Sequence, residues 1–101
     1  MKIRLGHVTN SSSSSYIIAI DKNLEEATNS LEEFAGWIGY DSVDEMEKRN
    51  PIYLPKVKKA LSKGKFILSV DIEGLGADHT DNIKYLLALG GIKAKVLYRY
   101  D

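Results

Sequence analysis

Three stretches of the chain concentrate side chains that can do chemistry. The first is Gly6-His7-Val8-Thr9-Asn10 running into five consecutive serines, Ser11 to Ser15. A glycine that permits unusual backbone angles, followed by N–H groups and hydroxyls, is the material of an anion cradle. The lysine and threonine spacing of a P-loop is absent, so any ligand read from this tract is a phosphate or partner group held by Gly6, His7, Asn10, Ser11, Ser12 and Ser13. Hydroxyl-rich and poor in apolar surface, residues 9–15 also suit a solvated loop or arm, or a tract that is phosphorylated or folds against a partner. The second stretch is basic: Lys56, Lys59 and Lys63 follow i, i+3, i+7 spacing, with Lys58 and Lys65 at the edges of the stripe. Such a stripe can contact phosphates or an acidic protein surface, or be the solvated side of an amphipathic helix. The third is acidic, with Asp71, Glu73, Asp78, His79 and Asp81 inside eleven positions.

Two of these stretches carry resemblances. The segment Gly6 to Tyr16 is similar to the opening of small bacterial and phage-encoded proteins, which reads glycine, aromatic, valine, serine or threonine, asparagine, five serines, aromatic. That resemblance implies a phage or mobile-element lineage and brings no activity with it; His7 stands where the aromatic usually is. Asp71-Ile72-Glu73-Gly74-Leu75-Gly76 resembles the first motif of the DnaQ-like exonucleases, whose Asp-x-Glu on a strand binds catalytic divalent metal. Such a site needs several carboxylates around hard cations. Only 28 residues follow Glu73, and their carboxylates are Asp78, Asp81 and Asp101. Asp71, Glu73, Asp78 and His79 are therefore weak metal candidates, and Asp71 is otherwise expected on the wet face of a strand. Asp78 or Asp81 would then favour a helix N-terminus, where negative charge is stabilised by about 0.3–1 kcal/mol.

No other constellation suggests catalysis. The two histidines, His7 and His79, have no Gly-x-Ser-x-Gly elbow to work with. The absence of cysteine removes disulfides, thiolate nucleophiles and zinc ribbons, and fits a reducing compartment. The start of the chain lacks the apolar run of a secretory signal, which makes the Asn10-Ser11-Ser12 sequon incidental, and the longest apolar runs fall far short of the roughly 20 residues of a membrane span. A cytoplasmic location is the expectation, with no cofactor.

These groups must be positioned by alternating elements. Tyr16 to Ile20 reads as a buried strand. Leu24, Ala27, Leu31, Phe34 and Ile38 recur at helical spacing, with a capping box in Asn23 and Glu26 and a stop at Gly39. Ser42 with Glu45 opens a short helix that ends before Asn50-Pro51. Pro55 begins a third helix, with Val57, Ala60 and Leu61 inward and Gly64 after it. Phe66 to Ile72 is a second strand. Thr80 or Asp78 caps a helix holding Ile83, Leu86 and Leu87, and Gly90-Gly91 separates it from a last strand, Ile92 to Tyr100. There, strict alternation puts Ile92, Ala94, Val96, Tyr98 and Tyr100 on one face and Lys93, Lys95, Leu97 and Arg99 on the other, which is expected to be wet.

The expected fold is one α/β domain over residues 1–101: a small two-layer sandwich with helices mainly on one face of a three- or four-stranded mixed sheet. Its order is (β)βαααβαβ, the optional strand being Lys2 to Leu5. A right-handed crossover between Ile72 and Ile92 would make the flanking strands parallel.

With 101 residues and 14 basic against 14 acidic side chains, the chain is neutral. That argues against a surface built wholly for nucleic acid or an anionic membrane. The charge is unevenly placed, however: residues 1–50 hold five basic groups against nine carboxylates, and residues 51–101 hold nine against five. The favoured reading is a non-enzymatic interaction protein that binds another macromolecule, most simply a protein, through its charged faces. The alternatives are a small-ligand or phosphate binder using Gly6 to Ser15, and nucleic-acid binding through the Lys56 to Lys65 stripe. Oligomeric state is not legible.

Overall fold

The computed structural model describes residues 3–5, 13–73 and 80–100. In chain order the elements are β1 (Ile3–Leu5), β2 (Ser13–Ile20), α1 (Leu31–Ile38), α2 (Val43–Arg49), α3 (Leu54–Ser62), β3 (Phe66–Glu73), α4 (Thr80–Leu89) and β4 (Ala94–Tyr100). This is the α/β order read from the sequence, with the extra first strand present. The strands form one sheet in the order β1-β3-β2-β4. Every neighbouring pair is antiparallel, so the sheet is not mixed. β3 and β4 do run the same way, but β2 lies between them.

Two apolar clusters lie on opposite faces of that sheet, as the period of two along β2 and β3 requires. Ile17, Ala19 and Ile67 face one way and pack with Phe34, Met46 and Val57 of α1, α2 and α3. Tyr16, Ile18, Leu68 and Val70 face the other way and pack with Ile83 of α4. Helices thus sit mainly on one face, as expected. The second face is covered too, because a central strand such as β2, whose five residues from Tyr16 to Ile20 are all buried, needs apolar partners on both sides.

The helix expected from Asn23 to Ile38 is shorter. Its N-cap is Ser30, whose Oγ accepts from the Glu33 N–H at 3.2 Å, and Gly39 at φ 102° ends it as foreseen. Upstream, Thr28 forms a β-bridge with β3, its N–H donating to Ile67 O at 2.9 Å and its carbonyl accepting from Ile67 N at 2.7 Å. A helix through Thr28 would leave those groups of Ile67 without a partner. Leu24 and Ala27 pack on the α4 side of the sheet, while Leu31 and Ile38 pack on the other. The apparent helical stripe is therefore two short apolar segments serving opposite faces. Ser30→Ala is expected to lower stability by about 1 kcal/mol, whereas Asn23→Ala should change it by less than about 0.5 kcal/mol, as read by urea unfolding.

The two later helices of that face begin as read. Ser42 caps α2 by accepting from the Glu45 N–H at 3.1 Å, and Asn50 closes it in the left-handed region at φ 49°. α3 carries Pro55 in its first turn, where the missing N–H is harmless. Gly91, at φ 77°, turns the chain from α4 towards β4.

Alternation along β4 breaks at one point. Ile17 pairs with Tyr98 but Ile18 pairs with Val96, leaving Leu97 as an extra residue. At such a bulge two residues oppose one. Leu97 and Tyr98 consequently both pack on the side of α1, α2 and α3, while Ala94 and Val96 pack on the α4 side. Tyr98 then meets Tyr53 in a tilted pair with ring centroids 5.4 Å apart, and Tyr53 meets Phe34 edge-on at 6.0 Å. Arg99, beyond the bulge, lies 5.8 Å from the centroid of the Tyr16 ring, within cation–π range.

Candidate functional site

α3 crosses the sheet near β3, and β4 is an edge strand; between them lies a groove of about 540 Å³ floored in part by Ala19 of β2. Six lysines line it: Lys56 and Lys59 of α3, Lys63 at its C-cap, Lys65 just before β3, and Lys93 and Lys95 on the β4 side. The rest of the lining is small or aliphatic, with Ala60, Ala94, Val96 and Leu97 joining Ala19. No carboxylate and no aromatic ring is among the lining residues.

The helical repeat explains one wall. Val57 and Ala60 are buried against the sheet, so positions 56, 59 and 63 turn to the side of the helix that looks toward β4. The strand period explains the other, since Lys93 and Lys95 share the face of β4 that looks toward α3. Lys56 Nζ reaches across and donates to the Leu97 carbonyl at 3.3 Å, which ties the two walls together. A cation on the face of an edge strand also discourages edge-to-edge pairing of copies.

Lys58 is separated from this set. Its Nζ meets Glu47 Oε1 of α2 at 2.8 Å, and it does not line the groove. Of the five lysines read as one patch, four therefore converge. The structure adds Lys93 and Lys95, whose shared face was visible in the sequence but whose neighbour was not. Nothing in a one-dimensional pattern places the last strand beside the third helix.

The acidic stretch fares differently. Asp71 is not on a wet face: it is 2% exposed and accepts a hydrogen bond from the equally buried Ser15 hydroxyl at 2.5 Å. In register it stands between Ser15 of β2 and Arg4 of β1. Glu73 is the last residue of β3, opposite Ser13. Asp78 and His79 lie outside the described residues, among which no group of three His, Cys, Asp or Glu side chains could hold a metal ion.

The serine tract is not a loop along its whole length. Ser13, Ser14 and Ser15 are the first residues of β2 and pair with Glu73, Ile72 and Asp71. Their backbones are thereby committed to the sheet rather than to a phosphate cradle. Gly6, His7, Asn10, Ser11 and Ser12 lie outside the described residues. Among those described, no helix is long and apolar enough to cross a membrane.

The groove thus has a definite chemistry: fixed positive charge on two walls over an apolar floor. Such a site attracts and orients anions by Coulomb forces. Compared with family models, curated proteins and solved structures, the chain matches none of them.

Proposed function

We propose that the protein is a non-enzymatic binding module that seats an anionic macromolecule in the groove between α3 and β4. The observation that carries this reading is the convergence of six lysines from three separate segments on one concavity with no carboxylate in its lining. A solvated helix face would account for Lys56, Lys59 and Lys63 alone. It does not account for Lys93 and Lys95 joining them from a strand about 30 positions later. Grouping like charges raises their mutual repulsion in the free protein, and an anion in the groove relieves it. The cysteine-free composition suits a cytoplasmic setting, and the opening tract supports a phage or mobile-element lineage.

Dextran sulfate, a polyanion without sequence or fold, tests the reading. Binding followed by fluorescence polarisation with labelled polymer should be clear at low ionic strength and vanish near 1 M salt, where charge interactions are screened beyond about 3 Å. Absence of binding at low salt would sink the proposal.

A further inference from the structure

One wall of the groove is the open edge of a sheet. β4 comes last in the order β1-β3-β2-β4, so among the described residues no strand lies on its outer side. The Asp21 N–H donates to the Lys93 carbonyl at 3.3 Å, which turns the backbone of Lys93 toward β2. Along an antiparallel strand these groups point alternately to one side and the other. The N–H and C=O of Ala94 and Val96 therefore point away from β2, to the open edge. Both residues line the groove although their side chains pack on the α4 side of the sheet, so it is their backbone that the groove presents. The ladder stops at Leu97, where the bulge begins and the carbonyl accepts from Lys56 Nζ.

Such an edge selects its partner by chemistry. Its N–H and C=O groups are satisfied together by another peptide backbone, whereas a phosphodiester chain carries acceptors only and would set its oxygens against the Ala94 and Val96 carbonyls. Charge then selects among peptides. Lys93 and Lys95 flank Ala94 on the α3 face, with Lys56, Lys59, Lys63 and Lys65 across the groove. The register that pairs Ala94 with Val96 of a second copy sets Lys95 directly opposite its own equivalent, a like-charge contact that disfavours it. A strand bearing carboxylates on that face is complementary instead. Given the anion-binding role proposed for the groove, we infer that its occupant is an extended acidic segment of another protein, added to β4 as an antiparallel strand. Its acidic side chains alternate, about 7 Å apart, to match the pitch of Lys93 and Lys95. The intervening residues face the α4 side beside Ala94 and Val96, and are apolar.

A short labelled peptide of alternating glutamate and valine tests this on the intact protein, beside the same residues in two blocks and two N-methylated forms, one methylated at every valine and one at every glutamate. In the antiparallel arrangement the valines stand opposite Ala94 and Val96, so their N–H groups donate to β4 and those of the glutamates face away. Methylation at valine should weaken binding by about tenfold or more, through the loss of two backbone hydrogen bonds, and methylation at glutamate by no more than about threefold. The block isomer, equal in charge, should bind at least about tenfold more weakly than the alternating peptide. Amide hydrogen exchange at Ala94 and Val96 should slow when the alternating peptide binds. Equal binding of the two methylated forms, unchanged exchange at Ala94 and Val96, or failure of the alternating peptide where dextran sulfate binds overturns strand addition, while the anion-binding reading stands. Tighter binding of a single-stranded or duplex oligonucleotide of equal net charge assigns the groove to nucleic acid and overturns the inference as well. Failure of every probe, dextran sulfate included, brings down both.

Discussion

Phe34→Ala is expected to lower the free energy of unfolding by about 3–5 kcal/mol, a large part of the 5–15 kcal/mol that holds a domain of this kind together. Phe34 is fully buried in the cluster shared by α1, α2, α3 and the sheet, edge-on to Tyr53, which in turn contacts Tyr98 of β4. Removing the ring loses its transfer free energy and leaves a cavity beside the ring of Tyr53, which a close-packed core cannot collapse far to fill. Urea unfolding should show the midpoint moving with little change in slope, because the surface exposed on unfolding is nearly the same. Ile52→Ala is the matched control. At 70% exposure the side chain has little burial to lose, and the change should stay within about 0.5 kcal/mol. A Phe34→Ala effect below about 1 kcal/mol would mean that the three helices are not anchored through this aromatic chain.

Much of this architecture was legible because local chemistry and the tertiary fold agree. Ser42 with Glu45, Pro55 in a first turn, and the glycines at 39 and 91 mark helix boundaries by their own backbone preferences, and the structure places the boundaries there. Legibility failed where one segment answers to two environments. Leu24 and Ala27 continue the helical spacing of Leu31, Phe34 and Ile38, yet they pack on the opposite face of the sheet, and the bridge from Thr28 to Ile67 breaks the helix between the two groups. Periodicity records that residues are apolar at a given spacing, not which surface they meet. The bulge at Leu97 is invisible for a related reason. It is a property of the pairing between β2 and β4, and nothing in the alternation of Ile92 to Tyr100 signals an extra residue. Asp71 misleads in the same way, since a carboxylate in a strand reads as solvated until its partner Ser15, 56 positions away, is known. The candidate site was half legible. The helical spacing of Lys56, Lys59 and Lys63 identified one wall; the other belongs to an edge strand whose position depends on the sheet order alone.

That division yields the sharpest functional contrast. Replacing Lys59 and Lys95 together by glutamate should weaken binding of dextran sulfate by more than about 100-fold at low salt, and the salt dependence should become shallower because at least two charge contacts are lost. The two residues stand on opposite walls, so each reversal removes an attraction and adds a repulsion on one side of the same bound chain. Both are exposed, and the fold should be retained, with an unchanged far-ultraviolet circular dichroism spectrum. Lys58→Glu is the telling comparison. By sequence it is the immediate neighbour of Lys59 and alters the net charge of the protein by the same amount as either single reversal. In the fold it is held by Glu47 at 2.8 Å and lies outside the groove. An exposed pair of this sort adds at most about 1 kcal/mol to stability, and Glu47 partly offsets the Lys58 charge. At about 0.15 M salt, where exposed charges are screened over about 8 Å, binding should change by no more than about threefold on Lys58→Glu. Equal losses from Lys58→Glu and from Lys59→Glu would mean that net charge attracts the ligand and that the two walls do not. A loss confined to the groove lysines ties the affinity to the place where α3 and β4 face each other.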